Sequence, residues 1–72
     1  MTADAITEIL GYANGNLLTV RLVLRDGSEI TGVPSSVDTH ITAHEVFLQP
    51  QGDDDTEIGV SLAAIVSAEL VF

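Results

Sequence analysis

The side chains that could support catalysis or bind a metal are few in this 72-residue chain. His40 and His44 are four residues apart, a spacing that would place both rings on one face of a helix. The segment that holds them, DTHITAH, is typical of a polar loop. A zinc site needs further ligands at defined spacing, and the sequence contains no cysteine. We therefore expect two solvated histidines and no metal site.

Three consecutive aspartates, Asp53, Asp54 and Asp55, resemble a cation-binding loop only superficially. A calcium loop alternates its ligands and ends in a bidentate glutamate, and neither feature is present here. Two interpretations remain: a solvated turn between strands, or an acidic tip that contacts a partner. The serines have no identifiable base and acid around them for nucleophilic chemistry. We therefore expect no enzymatic activity and no cofactor.

Charge is the most unusual property of the composition. The chain contains eleven Asp and Glu residues, two arginines and no lysine, so its formal net charge is −9. Nucleic-acid binding normally depends on several Lys or Arg contacts that release counterions, and this charge opposes it. The acidity either keeps a small apolar domain soluble or suits a high-salt habitat, or it forms a surface for a basic partner protein. In the last case the candidate contact residues are Asp38, Glu45, Asp53, Asp54, Asp55 and Glu57.

Arg21 and Arg25 lie on one face of a predicted strand. The chain offers no aromatic platform beside them on which bases could stack. We expect these arginines to pair with Glu29 or Glu57 on neighbouring strands. The three aromatic residues, Tyr12, Phe47 and Phe72, are expected in the core or at an interface.

The elements that position these residues are organised around Leu17 to Val37. Alternating apolar residues before residue 25 predict a half-buried strand, and Asp26-Gly27 predicts a two-residue type I′ turn. Gly32 and Pro34 predict that the returning strand bends or carries a bulge. Leu17 and Val23 are expected to lie under the preceding segment.

That preceding segment, Thr2 to Ala13, has apolar residues at the spacing of one helical face. Thr2 or Asp4 could cap a helix, and Asn14-Gly15 could end it. Asn-Gly is also a strong hairpin signal, so that a strand remains the alternative.

The rest of the chain predicts a third strand at Glu45–Gln49 and a fourth at Glu57–Leu62. A tight helical turn at Leu62–Ile65 leads to a fifth strand at Val66–Phe72. In this last strand one face is expected to carry Val66, Ala68, Leu70 and Phe72. Five short strands with tight connections predict one mainly β domain over residues 1–72, a strongly bent antiparallel barrel with a short N-terminal helix.

No apolar run approaches the roughly 20 residues that a membrane span needs. The N-terminus lacks the basic region of a secretory signal, so we expect a cytoplasmic protein. The apolar end Leu70-Val71-Phe72 would lie on an exposed strand edge, which invites a homo-oligomer or a partner that adds a strand.

The pattern of Val20, Leu22, Asp26, Gly27, Gly32 and Asp38 resembles the first motif of the Sm-like small-barrel family. The resemblance implies an N-terminal helix over a bent five-stranded SH3-like barrel, and its usual members form rings that bind RNA. Two departures matter: Thr42 stands where a base-holding Asn is usual, and IGVSLAAIVSAEL lacks the Arg-Gly of the second motif. The RNA-binding residues therefore do not carry over.

Within that family the chain is most similar to the small acidic Rof-type inhibitors of the transcription terminator Rho. The similarity covers Leu18 to Gly27, Val37 to Glu45 and Leu62 to Ser67. It implies a module that occupies a basic, nucleic-acid-binding surface on a Rho-like partner. The alternatives are an RNA-binding Sm-like ring protein and a structural domain without a catalytic role.

Overall fold

A computed structural model describes residues 1–38, 44–50 and 56–71, which form one helix, five strands and one 3-10 turn. Adjacent strands are all antiparallel, in the order β4-β3-β2-β1-β5. The predicted fold class, mainly β with a short N-terminal helix and a five-stranded antiparallel sheet, is confirmed. The elements are α1 (Ala3–Asn16), β1 (Val20–Leu24), β2 (Glu29–Asp38), β3 (Glu45–Pro50), β4 (Ile58–Ser61), the 3-10 turn (Leu62–Ala64) and β5 (Ile65–Leu70).

The N-terminal segment is the predicted helix and not the alternative strand. Thr2 caps it, because its Oγ1 accepts a hydrogen bond from the Ala5 N–H at 3.2 Å. The buried stripe of Ile6, Leu10 and Ala13 packs this helix onto the sheet.

The helix ends later than the sequence predicts. Asn14 and Gly15 continue it, and Leu17 adopts the left-handed conformation, with φ 54°. The side-chain amide of Asn14 lies against the carbonyl oxygens of Pro34 and Ser35. With the amide oriented so that its nitrogen faces them, it donates to both, at 3.0 and 3.2 Å, and holds the last turn of the helix against β2. Leu17 is 78% exposed, so the expectation that it lies under the helix is wrong.

The turn between β1 and β2 has three residues, Arg25, Asp26 and Gly27, between the hydrogen-bonded Leu24 and Ser28, and not the predicted two. Gly27 N–H donates to the Leu24 carbonyl at 3.0 Å, and Leu24 N–H donates to the Ser28 carbonyl at 2.9 Å. Gly27 has φ 88°, whereas Asp26 does not have the positive φ that a type I′ turn requires. The Asp26 carboxylate instead accepts from the Ser28 N–H at 2.9 Å, and this side-chain hydrogen bond stabilises the different turn.

The long strand β2 joins two halves of the sheet. Gly32 pairs with Val20 of β1 and also with Pro50 of β3. A Cβ at Gly32 would overlap the Gln49 carbonyl oxygen, so only glycine permits this close approach. The register of β2 against β3 shifts between Pro34 and Ser36, which confirms the predicted irregularity near Gly32 and Pro34.

The last strand departs from the predicted alternation. The register of β5 against β1 shifts because Leu24 pairs with Ile65 whereas Val23 pairs with Ser67, which leaves Val66 as the extra residue. Ile65 and Ala68 are consequently buried and Val66 is 42% exposed, so the prediction that Val66 shares a face with Ala68 is wrong. Phe72 lies outside the described residues. The core consists of Ile6, Leu10, Ala13, Val20, Leu22, Val46, Leu48, Val60, Leu62, Ile65 and Ala68.

Candidate functional site

The outward side of β2, β3 and β4 brings several of the predicted partner-binding residues together. Val46 and Leu48 of β3 are fully buried, so the alternation of the strand turns Glu45 and Phe47 outward. The register places Asp38 of β2 directly opposite Glu45. We call this surface the outer face, and it consists of Ser36, Asp38, Glu45, Phe47, Glu57 and Gly59.

Phe47 lies across a gap that Gly59 leaves in β4. The two residues are direct neighbours in the sheet, and a Cβ at Gly59 would lie 3.0 Å from Phe47 Cε1. The same Cβ would lie 3.4 Å from Glu45 Oε2, so the aromatic ring and this carboxylate share the surface above Gly59. Phe47 is only half-buried, which leaves part of it open to a partner.

The carboxylate of Glu57 lies on the opposite side of Phe47 from Glu45. Glu45 precedes Phe47 on β3, and Glu57 precedes Gly59 on the antiparallel neighbour, so they flank Phe47 from opposite ends. The Ser35 hydroxyl donates to Glu57 Oε1, and its Oγ is also 3.1 Å from the Phe47 carbonyl oxygen. Ser35 sits at the β2 register shift, so the bulge supplies the group that positions Glu57.

An aromatic ring between carboxylates is suited to a cation. A guanidinium or ammonium group can lie on an aromatic face while it forms charge-assisted hydrogen bonds with neighbouring carboxylates. The register also places Asp38 directly opposite Glu45, so this end of the surface carries two acidic residues side by side.

The two arginines are engaged elsewhere. Arg21 forms ion pairs with Glu69 and with Glu29, where Nε and Oε1 are 3.6 Å apart. Arg25 Nε donates to the Ala63 carbonyl oxygen at 2.7 Å. The predicted pairing with Glu29 or Glu57 is confirmed for Arg21, which pairs with Glu29, and is wrong for Arg25, which forms an ion pair with neither glutamate in the part of the chain that the structure describes.

Of the predicted contact residues, the structure brings Asp38, Glu45 and Glu57 onto one surface. Asp53, Asp54 and Asp55 lie outside the described residues, as does His40, while His44 is exposed. The contributions of Ser35 and Gly59 were missed at the sequence level. One signal was available for Phe47, which alternates out of phase with the buried Val46 and Leu48.

Over residues 1–38, 44–50 and 56–71, no group of three or more His, Cys, Asp or Glu side chains is arranged to hold a metal ion. Among the same residues, no helix is long and apolar enough to cross a membrane. Comparisons with protein-family models, curated proteins and solved structures found no match.

Proposed function

We propose that this chain is a small acidic protein-binding module whose outer face occupies a basic, nucleic-acid-binding surface on a Rho-like partner. The observation that carries the proposal is the Phe47 ring above Gly59, with the carboxylates of Glu45 and Glu57 on either side. The sequence resemblance to the Rof-type, Sm-like proteins supports the choice of partner. Such a partner would place the module in the cytoplasm.

The charge of the whole chain supports this choice. A net charge of −9 attracts a basic surface over distances longer than any single contact, and it speeds association at low ionic strength. The carboxylates of the outer face would bind the same Lys and Arg side chains that hold RNA phosphates. The module and RNA therefore compete for one surface.

A displacement experiment tests the proposal. A fluorescently labelled single-stranded RNA is bound to purified Rho, and the chain is then titrated into the complex. We expect the wild-type chain to release the RNA. Failure to release it, or tight binding of RNA to the chain itself at physiological salt, would overturn the proposal.

Two matched variants test the role of the outer face. E45Q and E29Q each remove one negative charge from a strand residue. Among the described residues, Glu29 forms one ion pair, an exposed one with Arg21. Arg21 keeps Glu69 as a partner when that pair is lost, so we expect E29Q to compete like the wild type. E45Q should compete about tenfold less well, the effect of losing one charge-assisted contact. Equal effects of the two variants would show that only total charge matters.

Association of the chain with itself is a separate question. β4 and β5 are the two ends of the described strand order, and each has one paired neighbour within it. Unpaired edges of this kind permit pairing with another copy. The mass in solution, measured by light scattering at several salt concentrations, distinguishes a monomer from a ring.

A further inference from the structure

We propose that the groove between α1 and β5 is a second docking site. Its ligand is a segment of another protein that presents a large apolar side chain next to a lysine or arginine. This site goes beyond the outer face, because it is built from different elements and neither site needs the other.

The groove has the size and lining of a binding site. Its volume is about 420 Å³, and it is lined by Ala5, Glu8, Ile9, Tyr12 and Leu70. Ligand sites are generally apolar clefts of this order of size, with a few polar groups that fix orientation. Here the lining is mostly carbon, and Glu8 supplies the one charged group.

The helix presents this lining beside its core-facing stripe. Ala5, Ile9 and Tyr12 follow the i, i+4, i+7 spacing of one helical face, next to the buried Ile6 and Ala13. Tyr12 is 58% exposed, although it carries one of the three aromatic rings of the chain. α1 thus packs on the sheet with one stripe and leaves the adjacent one partly exposed, with Ala5 and Ile9 half-buried and Tyr12 open to solvent.

Charge identifies the occupant. Glu8 lines the groove, and Asp4 lies one turn earlier on the same helix. The chain has only two strong bases, Arg21 and Arg25, and both are engaged on other elements. Glu8 forms no ion pair within the described ranges, so its exposed carboxylate is open to a cation that the occupant carries.

A second copy of the chain does not fit this requirement. It would bring no lysine, the same two engaged arginines and a further net charge of −9. Apolar contact in the groove would then be opposed by repulsion between the two acidic molecules. A basic and apolar segment of a different protein satisfies both the lining and Glu8.

Tyr12 provides a direct readout. It is the only tyrosine, and the chain has no tryptophan, so intrinsic fluorescence reports on this groove alone. The probe is a synthetic peptide of about 12 residues made only of leucine and lysine, with its leucine–glutamate counterpart as control. We expect the leucine–lysine peptide to change Tyr12 emission saturably and the acidic peptide to leave it unchanged.

Four variants with the same net charge of −8 (−9 + 1) separate the groove from general electrostatic attraction. A5R places a large side chain in the groove, and E8Q removes its carboxylate. G11R adds a charge to the same helix at a residue where a new Cβ meets no atom within 4 Å, and E45Q alters the outer face. Helix content and thermal unfolding of each variant confirm folding, and E8Q changes an exposed residue only.

The expected result is selective. A5R should weaken peptide binding at least about tenfold and E8Q about threefold to tenfold, while G11R and E45Q stay within about twofold of the wild type. Equal weakening by all four variants, or the absence of saturation, overturns the groove as a site. E45Q with full peptide binding but impaired RNA displacement would show that the two sites are separate.

Discussion

Phe47 occupies the space that the missing side chain of Gly59 leaves on β4, because a Cβ at residue 59 would lie 3.0 Å from Phe47 Cε1. The neighbour is the edge of an aromatic ring and not backbone, so it can move. We expect G59A to change the free energy of unfolding by less than about 1 kcal/mol. Alanine has a higher strand propensity than glycine, and this gain offsets the cost of displacing the Phe47 ring.

The same substitution should weaken competition with RNA about as much as E45Q, because the ring no longer lies beside the Glu45 carboxylate. Urea denaturation measures the first effect, and displacement of labelled RNA from Rho measures the second. Unchanged competition by a folded G59A chain would exclude Phe47 from the contact.

For Gly32 we predict a large loss of stability, because its neighbours are backbone atoms that cannot move aside. A Cβ there would overlap the Gln49 carbonyl oxygen and lie 3.0 Å from the carbonyl carbon and 3.2 Å from Pro50 Cα. Since β2 pairs on both sides at this residue, the strands cannot separate without loss of the ladder. We expect G32A to destabilise the fold by roughly 2–4 kcal/mol, most of what a domain of this size has.

G11A is the control for G32A. Gly11 lies inside α1 with no atom within 4 Å of a new Cβ, so alanine should stabilise the helix by up to about 1 kcal/mol. Both variants are compared by circular dichroism during thermal unfolding. A G32A chain as stable as the wild type would contradict the close approach of β2 and β3.

Leu17 offers a stabilising substitution. It ends α1 at φ 54°, a conformation that is unfavourable for residues with a Cβ, and it is 78% exposed. L17G removes that strain and loses little packing, although glycine also gains freedom in the unfolded chain. We expect a net gain of about 0.5–1 kcal/mol in the free energy of unfolding, measured in urea. L17A retains the unfavourable φ and should show no such gain.

These positions show where prediction from sequence succeeds and where it stops. Period-two alternation located β1 and β3, because Val20, Leu22, Val46 and Leu48 each face a continuous core. It failed at Val66, where a bulge changes which residues face inward and leaves no local mark in the sequence. The outer face was predicted only as charge: Asp38, Glu45 and Glu57 were candidates, but their grouping around Phe47 depends on strand register.

The turn at Asp26 predicts a dependence on pH. Hydrogen bonds from the Ser28 hydroxyl and then from the Ser28 N–H lower the pKa of Asp26 below its ordinary value of 3.8. A carboxyl whose pKa is lower in the folded than in the unfolded chain stabilises the fold above the ordinary value. That contribution is lost as pH falls through the folded-state pKa.

S28A removes the hydroxyl hydrogen bond, which lowers the pKa of Asp26 the most. We therefore expect this pKa to rise toward 3.8 in the variant. The wild type should be more stable than S28A at neutral pH, with the difference shrinking as the pH falls below about 3.8. NMR titration of the Asp26 carboxyl carbon measures the pKa, and urea denaturation across the acid range measures the stability. A stability difference that grows toward acid pH would contradict the sign.

Salt separates the two contributions that the outer face is proposed to make. Attraction between carboxylates and a basic partner is screened as ionic strength rises, with a Debye length of about 10 Å at 0.1 M salt. Contact between the Phe47 ring and a cation at short range is screened less. We therefore expect competition by the wild-type chain to weaken with salt, and E45Q to show a shallower dependence because it has one charge fewer.

F47L keeps an apolar side chain without an aromatic ring. It should lower the affinity at every salt concentration and leave the slope of affinity against salt unchanged. RNA displacement from Rho, measured for the three chains between about 0.05 and 0.5 M salt, gives both quantities. A wild-type affinity that does not respond to salt would exclude the carboxylates as the main attraction, and an altered slope in F47L would show that its ring acts by positioning Glu45.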